Sequence, residues 1–158
     1  MASMLNRTYR FKFYLNANHY IIIDGVEGET HPHTWEFTID IVIDSEEFVQ
    51  FNVYERAIDK YFEKYQNKVM NDFEPFDKII PTLENMSEIF IMDIRDIVEE
   101  NNGRLLKVES SETPTRSYIL SFEEDKEFIR SKKNRRQEYK KQVVGTVVDS
   151  ILEKSKKE

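Results

Sequence analysis

The chain carries three histidines, and two of them, His31 and His33, stand two residues apart in HPHTWEF, residues 31–37. The third, His19, lies upstream in NANHY, residues 16–20. A neutral imidazole nitrogen is a good zinc ligand, and a catalytic zinc site takes three protein ligands and leaves a fourth position open. Cysteine is absent, which excludes a thiolate ligand, a thiolate nucleophile and a disulfide framework. His-x-His alone is a weak signal, because strand histidines also serve as polar groups in cores and on surfaces. Whether the three rings meet depends on the elements that carry them.

Tyr9, Phe11, Phe13 and Leu15 alternate with Arg10 and Lys12, the period-two pattern of a half-buried strand. Continued in phase, the apolar face reaches Ala17 and then His19. A second strand is cleaner. His33, Trp35, Phe37, Ile39, Ile41 and Ile43 fall on one face, and Thr34, Glu36, Thr38 and Asp40 on the other. His31 extends the apolar face backwards. The connector, residues 20–30, contains Asp24-Gly25 and Gly28, which predicts an antiparallel pair joined by a long loop. Such pairing brings His19 close to His31 and His33 on the covered face, so periodicity by itself predicts a three-histidine cluster. At this level a metal site and a packed polar cluster are equally open.

Tyr54, Ala57, Ile58, Tyr61, Phe62 and Tyr65 recur at helical spacing. A second helix opens at PTLEN, residues 81–85, with Thr82 as its N-cap. It runs through Met86, Ile89, Phe90, Ile94, Ile97 and Val98 and is closed by Gly103. RLLKVESS and RSYILSF predict two short strands around a turn at Pro114. Further on, Val144, Val147, Val148, Ile151 and Leu152 share a helical stripe. The expected fold is α+β: an antiparallel sheet with two helices on one face over residues 1–123, then a charged helical extension over residues 124–158.

The 158 residues are one domain's worth, and the net charge of −7 is unevenly spread. Residues 126–141 hold eight Lys/Arg against two Glu, a local +6 that leaves −13 for the remainder. An acidic body, and a basic run without interleaved stacking aromatics, disfavour nucleic acid as a partner. The N-terminal residues lack the apolar stretch of a signal peptide, and no run approaches a membrane span. The expectation is a cytoplasmic protein with no membrane partner.

Taken in order, NANHY, HPHTWEF, PTLEN and SSETPTRSYIL resemble the 6-pyruvoyltetrahydropterin synthase and 6-carboxytetrahydropterin synthase family, over about residues 7–122. The family pattern is an Ala-x-His, a His-Gly-His starting a strand, a Pro-Thr-x-Glu starting a helix, and a late Glu-Thr between strands. The ordered set is more specific than any one motif. The resemblance implies the tunnelling fold, a ββααββ domain in trimers that often stack into hexamers. It implies zinc on His19, His31 and His33. It also implies a pocket in which Glu112 accepts hydrogen bonds from the 2-amino and ring N–H edge of a pterin, with Thr113, Thr82 and Glu84 beside it. Pro32 replaces the usual glycine and keeps the extended backbone that the ligands need.

Enzymes of the family deprotonate carbon on the pterin side chain while zinc polarises its oxygens. They use a cysteine four residues before His-Gly-His and an Asp-His pair shortly before a Leu-Asn-Asp. This chain has Glu27 at the first position. YQNKVMND, residues 65–72, aligns Met70-Asn71-Asp72 with Leu-Asn-Asp and puts Gln66 and Asn67 at the relay. A general base must take and return a proton near neutral pH, and a side-chain amide does not. The expectation is therefore a pocket that binds without the family's turnover. Guanine presents the same edge as a pterin, so a guanine nucleotide is a candidate ligand. Arg130, Lys132, Lys133, Arg135 and Arg136 would add phosphate affinity, and a cyclic diguanylate satisfies both features. The rival expectation is a divergent synthase or lyase with Glu27 as base. A third is that the basic segment is a solvated face packed on a neighbouring subunit.

Overall fold

The computed structural model describes residues 7–43 and 48–122. The chain order is β1 (Tyr9–His19), β2 (Ile22–Ile23), β3 (Val26–Glu27), β4 (His31–Ile43), α1 (Phe51–Phe62), α2 (Leu83–Glu100), β5 (Gly103–Thr113) and β6 (Arg116–Ser121), with a 3₁₀ turn at Met70–Asp72 between the helices. The long strands form one antiparallel sheet in the order β1-β4-β5-β6. The expected α+β fold is the one observed; the expected helical extension lies outside the described residues. No helix among the described residues is long and apolar enough to cross a membrane.

The alternation in β1 and β4 sorts their side chains by face. Phe11, Phe13, Leu15, Ala17 and His19 are buried, while Arg10, Lys12, Tyr14 and Asn16 between them are exposed. Trp35, Phe37, Ile39 and Ile41 of β4 are fully buried, as are Ile58 of α1 and Phe90, Ile94 and Val98 of α2. Phe37 stacks on Phe62 with centroids 5.0 Å apart, and Phe90 meets Phe37 edge-on at 5.4 Å. Each such side chain contributes about 1.5–3 kcal/mol of burial. The sheet's rigidity, and hence the aim of the histidines at its end, rests on this packing.

The opposite face is held by charge. Arg10 donates to both carboxylate oxygens of Asp40, at 2.8 and 3.0 Å, and Lys107 approaches the same group at 3.5 Å. One carboxylate thus ties β1, β4 and β5 together.

Two local expectations are revised. The connector is not an open loop: β2 and β3 form a small hairpin turned by Asp24 and Gly25, both at positive φ (51° and 77°), as a two-residue Asp-Gly turn requires. Gly103 does not cap α2. The left-handed residue there is Asn102, at φ 61°, and Gly103 opens β5 instead. A Cβ on Gly103 would lie 2.9 Å from Val98 Cγ1 and 3.0 Å from the Tyr54 hydroxyl, so glycine is required for close approach and not for conformation.

Candidate metal centre and adjoining groove

The register of β1 on β4 pairs His19 with His31 and Ala17 with His33. All three imidazoles therefore gather at one end of the buried face, with ring centroids 4.5–5.0 Å apart. One ring nitrogen from each lies within 4.8 Å of the others.

The hydrogen bonds determine which nitrogen is free. His19 Nδ1 is 2.7 Å from the Pro81 carbonyl oxygen, and His31 Nδ1 is 2.9 Å from that of Glu29. A carbonyl only accepts, so both Nδ1 atoms carry a proton, and in the neutral rings both Nε2 atoms carry a lone pair. Those two lone pairs face each other at 3.0 Å. Two acceptors at that separation repel unless a proton or a metal cation lies between them, and two bonds of about 2.0–2.1 Å to one zinc ion span the gap. Burial holds the His19 imidazole below its ordinary pKa, the other two histidines push the same way, and the Pro81 bond opposes them. A neutral ring is the ligating form. The donor set thus fits a divalent metal of the zinc type, with His19 and His31 oriented from behind by backbone carbonyls.

The cluster forms one wall of a groove of about 530 Å³. Glu112 lines it from β5, followed across the hairpin by Arg116, Ser117 and Tyr118. Thr82, Leu83 and Glu84 close it at the start of α2. Glu112 is oriented: its Oε1 accepts from Trp35 Nε1 at 3.2 Å, and its Oε2 lies 3.9 Å from Arg116 Nη2. Trp35 also packs against the rings of His19 and His33, at 4.9 and 5.1 Å. One indole thus links the carboxylate to the histidine cluster.

Of the residues singled out from sequence, His19, His31, His33, Glu112, Thr82 and Glu84 line this one groove. Thr82 is also the N-cap of α2, accepting the Asn85 N–H at 3.2 Å. Thr113 is not in the lining; its hydroxyl pairs with that of Thr115 at 3.1 Å. Glu27 is exposed on β3 and is also outside the lining. Gln66 is outside the lining too: its amide donates to the Tyr14 carbonyl at 2.8 Å and accepts the Asn16 N–H at 2.9 Å. Asn67, at φ 59°, borders a second hollow of about 350 Å³ with Asn16, Asn18, Pro32 and Thr34, and this hollow shares His33 with the groove. Arg130, Lys132, Lys133, Arg135 and Arg136 lie outside the described residues.

Sequence reasoning did not find Trp35, Arg116 or Tyr118. Trp35 read as core, and it is 0 % exposed. The usable signal was its indole N–H, which needs an acceptor when buried. Tyr118 donates to Glu88 at 3.0 Å across to α2, a pairing with no local trace in sequence.

Comparison with known proteins followed the same line. The 6-pyruvoyl tetrahydropterin synthase family pattern matches residues 8–123. Among solved structures, the 6-pyruvoyl tetrahydropterin synthase of Caenorhabditis elegans superposes with a TM-score of 0.62 at 15 % identity, covering 77 % of this chain and 99 % of that one. The Plasmodium falciparum enzyme gives 0.51 at 12 %, covering 73 % and 98 %. A catalytic-residue variant of the Plasmodium vivax enzyme, a glutamate replaced by alanine, gives 0.52 at 12 % over the same shares. No curated protein sequence matched.

Proposed function

The chain belongs to the 6-pyruvoyl tetrahydropterin synthase family, and on that footing we propose that it binds zinc at its three histidines and takes the 2-amino-4-oxo pyrimidine edge of a pterin or guanine nucleotide in the groove, without the family's turnover. The observation that carries the reading is the placement of Glu112 in the same groove as three imidazoles, two of them with lone pairs turned inward. Glu112 is held by Trp35 through one oxygen, and its other oxygen can accept an N–H from a ligand. Zinc bound at the histidines would polarise an oxygen on the ligand's side chain. The rest is positioning by this chain: Glu112 orients the ring edge, and the first turn of α2 bounds the far side. A proton relay is the missing part. Gln66 is an amide, and both of its halves are engaged on β1. The protein would work as a homo-oligomer, a trimer or hexamer, which sedimentation velocity would show and a monomer would contradict.

Isothermal titration of the zinc-loaded protein tests the pocket. A free pterin, GMP and cyclic diguanylate should bind, and AMP should not. If neither pterin nor guanine ligands bind, the reading falls. The second reading, a divergent carbon–oxygen lyase with Glu27 as base, is favoured by the Plasmodium vivax neighbour, in which a glutamate is a catalytic residue. Product formed from dihydroneopterin triphosphate by the wild type, and lost in Glu27→Gln, would put that reading in place of the first.

A further inference from the structure

We infer that Asn71 is the positioning residue of the histidine cluster: its side-chain amide fixes the backbone just after His19 and so aims that ring at His31. Pairing between β1 and β4 stops at His19 opposite His31, so Tyr20 lies beyond the last paired residue. Asn71 holds it from the outer side of β1. Its Oδ1 accepts the Tyr20 N–H and its Nδ2 donates to the Tyr20 carbonyl, both at 3.0 Å. The residue is 9 % exposed and follows the fully buried Met70, so the amide is anchored in the core.

The clamp completes a regular series along the outer edge of β1. Gln66 bonds the Tyr14 carbonyl and the Asn16 N–H. The Asn67 N–H meets the Asn16 carbonyl at 2.6 Å, and the Asn18 N–H meets the Lys68 carbonyl at 2.8 Å. Tyr14, Asn16, Asn18 and Tyr20 are thus served in turn, partly by backbone and at both ends by side-chain amides. His19 is bracketed by the last two. Its ring has one further tether, the Nδ1–H bond to Pro81. Without Asn71 the Tyr20 peptide would turn to water, and His19 would keep its pairing with His31, its Pro81 bond and its Trp35 contact but lose the anchor on the backbone that follows it. The 3.0 Å face-to-face placement of the two Nε2 atoms would then relax.

This inference rests on the metal-binding reading of the histidines. Gln66 is the internal control, because its amide also makes two bonds to the edge of β1 but ends three residues before His19. Zinc affinity is measured by chelator competition on the full chain, the cobalt(II) absorption spectrum reports ligand geometry, and melting in chelator reports fold stability. Gln66→Ala and Asn71→Ala should both melt lower. Only Asn71→Ala should lose zinc affinity, by about tenfold or more, as for removal of partners that orient metal ligands, and only it should alter the cobalt spectrum. Asn71→Asp keeps an acceptor for the Tyr20 N–H but opposes the Tyr20 carbonyl, so it should also lose affinity; it carries the comparison should the alanine variant not fold. If the Asn71 variants hold zinc as tightly as Gln66→Ala with an unchanged spectrum, the clamp is structural only and the inference is overturned. If the wild type takes up no zinc, the metal reading falls and the inference with it.

Discussion

His19 and His31 turn the same ring atom, Nε2, toward each other from different settings. His19 is 2 % exposed and anchored at Pro81, whereas His31 is half-buried and anchored two residues away at Glu29. Substitution should separate fold from metal. His31→Ala removes one of two opposed lone pairs, so in chelator it should melt no lower than the wild type. With zinc at a hundred times its Kd the wild type should gain about 2.7 kcal/mol, and His31→Ala should gain far less. Melting curves with and without zinc read both effects. Glu112 gives a second separation. Glu112→Gln keeps an acceptor for the buried Trp35 N–H and should leave stability unchanged, while weakening pterin and guanine ligands by about 1.5–3 kcal/mol for a lost bond to a charged group. Glu112→Ala orphans the indole and should also destabilise the protein by about 1–3 kcal/mol. Equal stability of the two variants would show that Trp35 does not depend on this carboxylate.

The strands were readable because their pattern is local. The in-phase run from Tyr9 to His19, and from His31 to Ile43, needs only alternation, and the cluster follows once the two pair in register. Thr82 was readable for the same reason, since its partner Asn85 is three residues away. Thr82→Ala should cost about 1 kcal/mol and loosen the first turn of α2 on the groove, which urea unfolding would measure. Gln66 and Asn71 were not readable: their partners lie about fifty residues away, and the segment between has no periodicity. The β2–β3 hairpin was hidden because Ile22, Ile23 and Val26 are all exposed, so no face alternates. Gly103 was assigned a turn because glycine is common after helices, whereas the crowding against Val98 and Tyr54 exists only in the packed fold. Gly103→Ala should destabilise by about 1–3 kcal/mol through overpacking. An unchanged midpoint in urea would mean that β5 yields freely.

Over the whole sheet, one face is held by burial and the other by Asp40. The Arg10 guanidinium hydrogen-bonded to Asp40 holds its carboxyl below the usual carboxylate range; burial opposes this, and the charges of Arg10 and Lys107 add to it. A depressed folded pKa stabilises the protein above the unfolded value of about 3.9, and that share is lost as pH falls through the folded value. Stability should therefore decline steeply below about pH 4, and Asp40→Asn should flatten that limb while lowering stability near neutrality. Arg10 is 54 % exposed, so added salt should shrink the difference. Identical acid limbs in the two proteins would assign acid lability to other carboxylates.

The closed half of the β1 edge has a consequence for self-contact. A strand that pairs with an edge always passes on a new edge of its own, ready to template the next chain. A side-chain amide passes on nothing. Between Tyr14 and Tyr20 the sheet meets Gln66 and Asn71 at the two ends, so hydrogen bonding terminates there and does not propagate. The strand end that bears His19 therefore has its outward backbone groups from Tyr14 to Tyr20 already engaged within the chain.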